Sequence, residues 1–203
     1  MKLSLTRWFS SWRWVAVLGA SIGALSLAQA QTPERIAVPT QTAASLPAVV
    51  SIASLDVPRY MGTWYEIAKF PNKFQRQCAR HTRAQYLAQG DGTVQVLNRC
   101  LTESGEETSA LGLARQIGPS TSPRLKVRFA PAWLSWLPQV WGDYWVIDLD
   151  DDYQLAAVSE PSREYLWVLS RKPTVDTNTY NALLKRLSAQ GFDLTKLERS
   201  PQP

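Results

Sequence analysis

This chain of 203 residues predicts an all-β fold: eight antiparallel strands, closed into a barrel or a sandwich, with one amphipathic helix after them. Three observations predict it. Eight short runs of alternating or apolar character follow one another, and all but two of their connections are of hairpin length. Nothing between them has the length or period of a crossover helix, which a parallel sheet needs. After Pro173 the apolar period changes to a helical one, with Tyr180, Leu183, Leu184 and Leu187 at i, i+3, i+4 and i+7.

The elements follow in order. Residues 1–30 are expected to be a signal peptide. Lys2, Arg7 and Arg13 form a basic start without acids, residues 14–27 are apolar and small, and Ala28-Gln29-Ala30 supplies the small-x-small cleavage pattern. The apolar run is too short for the ~20 residues that span a bilayer. No cysteine lies near the cut, so a diacylglyceryl anchor has no attachment atom. Residues 31–54, with Pro33, Pro39 and Pro47 among Thr, Ala, Ser and Gln, read as a disordered linker. The domain is placed at 55–200.

The strand-like runs are 63–70, 81–88, 93–101, 107–117, 124–130, 143–149, 153–159 and 164–171. Gly90-Asp91-Gly92 between the second and third is a strong hairpin signal. Asp176 is the expected N-cap of the helix and Gly191 its stop, with a further short strand within 192–197.

Composition narrows the function. The net charge of +5 falls to +2 once the three basic residues of the first 30 are set aside, too weak a balance for nucleic-acid binding. One histidine, His81, and two cysteines, Cys78 and Cys100, are too few for a zinc site built on His and Cys. Asp148, Asp150, Asp151 and Asp152 crowd one turn. A calcium loop counted from Asp148 would need Gly and Glu where Tyr153 and Ser159 stand. No metal and no cofactor is expected, and no group is arranged for catalysis.

Gly62-Thr63-Trp64-Tyr65 opens the first run, Asp152-Tyr153 begins the seventh, and Leu169-Ser170-Arg171 ends the eighth just before the helix. In these three motifs the chain resembles the lipocalin family. Within it, phrases such as Val146-Ile147-Asp148-Leu149 and Tyr165-Leu166-Trp167-Val168 are similar to the Blc-like bacterial outer-membrane lipoproteins and the related apolipoprotein D. The resemblance covers residues 55–200. It implies an eight-stranded up-and-down barrel with the helix packed outside. It also implies a small hydrophobic ligand, a fatty acid or lysophospholipid, and a periplasmic or outer-membrane-associated location. One departure is the missing lipobox cysteine.

Strand alternation supplies the ends and the interior. If the first run starts at one end, Trp64, the Gly90-Asp91-Gly92 turn, Asp152, Tyr153 and Arg171 share that end with Gly62. A guanidinium over an indole is favourable, so these residues are read as a structural closure. The other end carries the long connections and is the expected mouth. Phe74, Arg76, Trp133, Trp136 and Trp141 there are read as a portal, with transient membrane contact, against a loop that merely packs on itself. Basic residues Lys73, Arg80 and Arg83 accompany Arg76, as a solvated face or as a dock for an anionic head.

Phasing from Trp64 and from apolar character turns inward Glu66 and Ala68, Ala84 and Tyr86, and Val94, Val96 and Asn98. Gly112 and Ala114, Val127 and Phe129, Tyr144 and Val146, and Tyr165 and Trp167 follow in the later runs. The small ones leave room for a ligand, unless the large ones fill the barrel. Glu66 and Asn98 either hold a ligand head or pair with each other or with Tyr86.

Cys78 and Cys100 fall at the open end of one hairpin. In an exported chain with two cysteines they are expected to form a disulfide. The expected function is carriage of an unchanged ligand. Two alternatives are a lipid-modifying enzyme with Cys78 as nucleophile, and an envelope protein whose Trp loop holds a partner. The sequence carries no signal of oligomeric state.

Overall fold

The computed structural model describes residues 46–203. The expected signal peptide and most of the expected linker lie outside them. Residues 46–54 correct the linker expectation, because they lie on the domain. Val49 is buried, Ile52 N–H donates to Val146 O at 3.0 Å, and Arg124 Nε reaches Ser51 Oγ at 3.1 Å.

A single turn, α1 (Val57–Tyr60), is capped by Asp56, whose side chain accepts from Arg59 N–H. Strands β1 (Gly62–Lys69), β2 (Arg80–Ala88), β3 (Val94–Leu101), β4 (Glu107–Gln116), β5 (Arg124–Arg128), β6 (Gly142–Leu149), β7 (Leu155–Ser159) and β8 (Leu166–Ser170) follow. Each pairs antiparallel with the next, and β8 and β2 both pair with β1, so the sheet closes into a barrel. The all-β up-and-down barrel holds, with small shifts in strand ends. The seventh strand begins at Leu155 because Tyr153 takes a positive φ of 59° in the preceding turn.

Helix α2 (Thr177–Ala189) starts where Asp176 accepts from Asn178 and Thr179 N–H, and the positive φ of Gly191 terminates it. Tyr180, Leu183 and Leu187 are buried against Ile67, Ile147, Leu155, Ala157, Leu166 and Val168 on the barrel's outer wall. Full burial of each leucine is worth ~1.5–3 kcal/mol. Strands β7 and β8 alternate between this outer cluster and the interior one, which holds Ala156, Val158 and Leu169. They are therefore apolar on both faces.

The expected terminal strand comes later than 192–197. A 3₁₀ turn occupies Leu194–Lys196, and β9 (Glu198–Arg199) then pairs with Lys69 and Ala68 of β1. Strands β1 and β2 pair only from Gly62 to Tyr65. Beyond that point the C-terminal tail runs between them: Ser200 N–H donates to Ile67 O, and His81 N–H to Pro201 O.

Candidate functional site

At the closed end Trp64 is wholly buried, and Arg171 lies 4.1 Å over its ring. The guanidinium also donates to Thr63 O at 3.0 Å, Arg59 O at 2.7 Å and Tyr153 O at 3.3 Å. It thereby ties α1, β1 and the β6–β7 turn together. Gly62 has φ +95°, and a Cβ there would sit 3.3 Å from Arg171 Nη1, so glycine suits both backbone and space. Tyr153 accepts Asp56 N–H at 3.0 Å and carries Arg59 over its ring. Asp152 is exposed. Its neighbour Asp150 shapes the turn, accepting from Gln154 and Leu155 N–H.

Above this plug, Tyr144 Oη lies 2.9 Å from both Tyr60 Oη and Tyr86 Oη. Burial pushes all three phenols up, Tyr86 to about 12. The three line a cavity of about 20 Å3 with Leu55, Val57, Met61, Val94, Val96, Ala114, Leu125 and Val127. Thus Tyr86, Val96, Ala114, Val127 and Tyr144 meet as phased, and Ala84 and Val146 belong to the same interior cluster. The space beside the phenols suits about one water rather than an acyl chain.

Two phased residues, Ala68 and Phe129, and one portal residue, Trp141, go elsewhere. A bulge between Glu66 and Ala68 breaks the alternation, so Ala68 joins the outer cluster under α2. Phe129 lies beyond the end of β5 and is 44% exposed, its ring so close over Gly112 that a Cβ there would meet it at 2.7 Å. Trp141 leaves the portal. Its indole packs 4.3 Å from the guanidinium of the exposed Arg115 and 5.3 Å from that of the buried Arg128, and its Nε1 donates to Ser135 O.

The family model for the lipocalin-like domain matches residues 55–202. The chain is a lipocalin. It is 43% identical over 153 residues to temperature-induced lipocalin-1 of Arabidopsis thaliana, covering 74% of this chain and 81% of that one. To the outer membrane lipoprotein Blc of Escherichia coli K12 it is 36% identical over 156 residues, covering 76% and 84%. Mouse apolipoprotein D matches at 28% over 155 residues, covering 73% and 78%. In fold it is similar to the cockroach allergen Per a 4 (TM-score 0.59, 19% identity, covering 76% of this chain and 94% of that one). Insecticyanin of the tobacco hornworm Manduca sexta is also similar (0.57, 22%, covering 77% and 85%). Lipocalins bind small hydrophobic ligands in the barrel, and as a class they are ligand binders rather than enzymes.

The mouth of this lipocalin centres on Glu66, which is 3% exposed. Its partners are neither Asn98 nor Tyr86. Gln75 Nε2, from the β1–β2 loop, and Ser200 Oγ, from the tail, each donate to the carboxylate at 2.5 Å. Burial raises the Glu66 pKa against the pull of those bonds and of Lys69. Gln75 Oε1 accepts from Trp167 Nε1 at 2.9 Å, and Tyr165 stacks on Trp167 at 5.8 Å with Phe74 beyond it. Gln202 Nε2 bridges Glu66 O and Thr82 O across the β1–β2 gap. Asn98 is half-buried and Arg76 exposed. On the β5–β6 loop Trp133 and Trp136 are 73% and 75% exposed. Cys78 and Cys100 are bonded, so neither offers a thiol.

The sequence reading missed Tyr60, Gln75, Ser200 and Gln202. Tyr60 lies four residues before Trp64, whose indole N–H donates to Tyr60 O, a spacing that was available. The two glutamines and the serine sit in segments without periodicity and have no local signal.

Proposed function

We propose that this lipocalin is exported to the cell envelope and carries a fatty acid or lysophospholipid, taken up and released unchanged. The observation that carries this reading is the asymmetry of the barrel. One end is sealed by Arg171 on Trp64, the interior is apolar, and the other end is held by a small set of exchangeable hydrogen bonds around Glu66. Burying an acyl chain is worth ~0.8 kcal/mol per methylene. Pockets for such ligands run to ~300 Å3 or more. Loading therefore requires the side chains tied across the open end, Gln75 among them, to move aside. Trp133 and Trp136 suit the boundary between hydrocarbon and water, and support brief contact with a membrane during loading. The name of the Escherichia coli relative supports an outer-membrane association, here without a lipobox cysteine. The nucleophilic-thiol alternative loses support, because Cys78 is tied to Cys100.

The test is native mass spectrometry of delipidated protein after exposure to a bacterial membrane extract. Adducts with the masses of fatty acids or lysophospholipids are expected. Absence of any lipid adduct on folded protein would reject the reading.

A further inference from the structure

A second space lies outside the barrel interior. Where the chain leaves β5, a groove of about 390 Å3 runs along the wall, against about 20 Å3 beside the phenols. Leu111, Leu113, Phe129 and Pro131 line it, with Gln95 and Arg128 among its polar members. Gln95, Leu113 and Arg128 stand opposite one another across β3, β4 and β5. Their strand neighbours Val96, Ala114 and Val127 line the interior cavity, so alternation puts this row on the other face of the sheet. Groove and cavity share no lining residue.

Arg128 is the anomaly of the groove. It is 7% exposed, yet among the described residues it forms no ion pair. The carboxylate of Asp143, on the next strand, is held by Lys126 at 2.8 Å. Nη1 of Arg128 donates to Ala130 O, the buried Nε has no partner, and no described residue accepts from Nη2. Nε and Nη2 form one edge of the guanidinium, so a whole two-donor edge is unused. A second cation, the exposed Arg115, shares the ring of Trp141 with it, at 4.3 and 5.3 Å. Two like charges on one indole, one of them buried and neither offset by an acid, are costly to keep without an anion.

We infer that this groove is a second binding site, for a single-chain amphiphile with a carboxylate or phosphate head. The head takes the Nε–Nη2 edge of Arg128, whose two parallel donors match two oxygens of either group. The ties that hold the guanidinium, to Ala130 O and to the face of Trp141, both leave that edge free. The chain lies along Leu111, Leu113, Phe129 and Pro131. Small-molecule pockets of ~300–1,000 Å3 have this make-up, mainly apolar with a few polar groups that fix the ligand. A neutral head would leave the buried charge as it stands and gain less. The site goes beyond the interior carriage proposed above and stands whether or not the interior is loaded.

The experiment uses the full delipidated chain and three photoactivatable probes of one chain length, each with a diazirine midway: a fatty acid, an alkyl phosphate and a fatty alcohol. After irradiation, peptide mapping is expected to place label from the acid, the phosphate or both on residues 111–113 and 129–132. The apparent affinity of that labelling should be about tenfold or more above the alcohol's. Labelling by one anion alone would name the head that the fork prefers. Arg128→Gln removes both fork and charge. It should cut groove labelling by the anions to the alcohol's level and leave any label on interior residues unchanged. Leu111→Glu, at a residue 60% exposed, keeps the wall and sets a carboxylate on the groove's rim. It should weaken anion labelling there too, and it decides the matter if Arg128→Gln does not fold. The site is overturned by absence of groove label from both anions, by equal labelling with the alcohol, or by unchanged anion labelling in the folded variant. A labelled groove with an unlabelled interior would count against the interior carriage alone.

Discussion

The two ends of this barrel are closed by different physics. At one, Arg171 stacks on a wholly buried Trp64 and donates to three backbone carbonyls drawn from α1, β1 and the β6–β7 turn. Each partner is fixed by backbone geometry, so the closure has little freedom. At the other, the chain is tied by the side chains of Gln75, Ser200 and Gln202, which converge on Glu66 from a loop and a tail. Side-chain hydrogen bonds of that kind contribute ~0.5–1.5 kcal/mol each, ~1.5–3 where the carboxylate is charged, and are replaceable by water. On the proposed carriage of a ligand, the comparison points to the second end for its entry. The rigid end supplies stability, and the exchangeable end is the one that can yield.

The largest expected effect lies at the rigid end. Arg171→Ala removes the cation–π contact, ~1–2 kcal/mol, and strands three carbonyls. A loss of ~3–5 kcal/mol is expected by denaturant titration, with ligand affinity unchanged in the fraction that folds. Severe loss of affinity at unchanged stability would show the guanidinium acting on the ligand rather than on the closure.

The covalent tie at the open end comes next. Cys78 and Cys100 are 22 residues apart, a loop whose closure is worth ~3 kcal/mol in the chain-entropy picture. Replacing both by Ser should lower the melting temperature while ligand still binds. A chain that stays folded yet binds nothing would mean that this hairpin shapes the site.

The same contrast separates what the sequence showed from what it hid. Motif and alternation were enough for the closed end and for Tyr86, Val96 and Ala114, because regular strands carry side chains to alternate faces without exception. Ala68 escaped because one bulged residue reverses every later position on the strand. Phe129 escaped because β5 ends at Arg128, and Trp141 because two arginine side chains offer its indole a better surface than solvent does. The Glu66 partners are separated from it by 9 and 134 residues. Polar pairing over such spans leaves no periodic trace. A buried carboxylate in a strand signals only that partners exist.

A smaller effect tests that carboxylate. The pKa of Glu66 is raised in the folded protein relative to its ordinary 4.5, by burial. Its protonated form is therefore favoured by folding. The stability this brings is fully present below the unfolded value and is lost as pH rises through the raised one. Glu66→Gln keeps an amide oxygen for Gln75 and lets the Ser200 hydroxyl reverse its role. The variant should lose this part of the pH dependence and gain stability near neutrality relative to the native chain. Urea midpoints of both proteins across the acid range check it. Parallel curves would mean that Glu66 stays charged without cost.

The smallest effect on stability, and the most direct on function, belongs to the β5–β6 loop. Trp133 and Trp136 project into solvent, whereas Trp141 lies between Arg115 and Arg128. If the exposed pair meets the membrane during loading, Trp133→Ser with Trp136→Ser should slow ligand transfer from vesicles. Stability should move by no more than about 0.5 kcal/mol, as for surface substitutions without buried partners. Trp141→Ser should do the reverse, costing ~1–2 kcal/mol through lost packing and two lost cation–π contacts, with transfer following the folded fraction. The indoles are neighbours on one loop, so their opposite behaviour cannot come from the loop as a whole. Equilibrium affinity for monomeric ligand separates loading from binding, because the exposed pair lies outside the interior cluster that would hold an acyl chain. Normal transfer by the double variant would leave the open end with a mouth but no membrane contact.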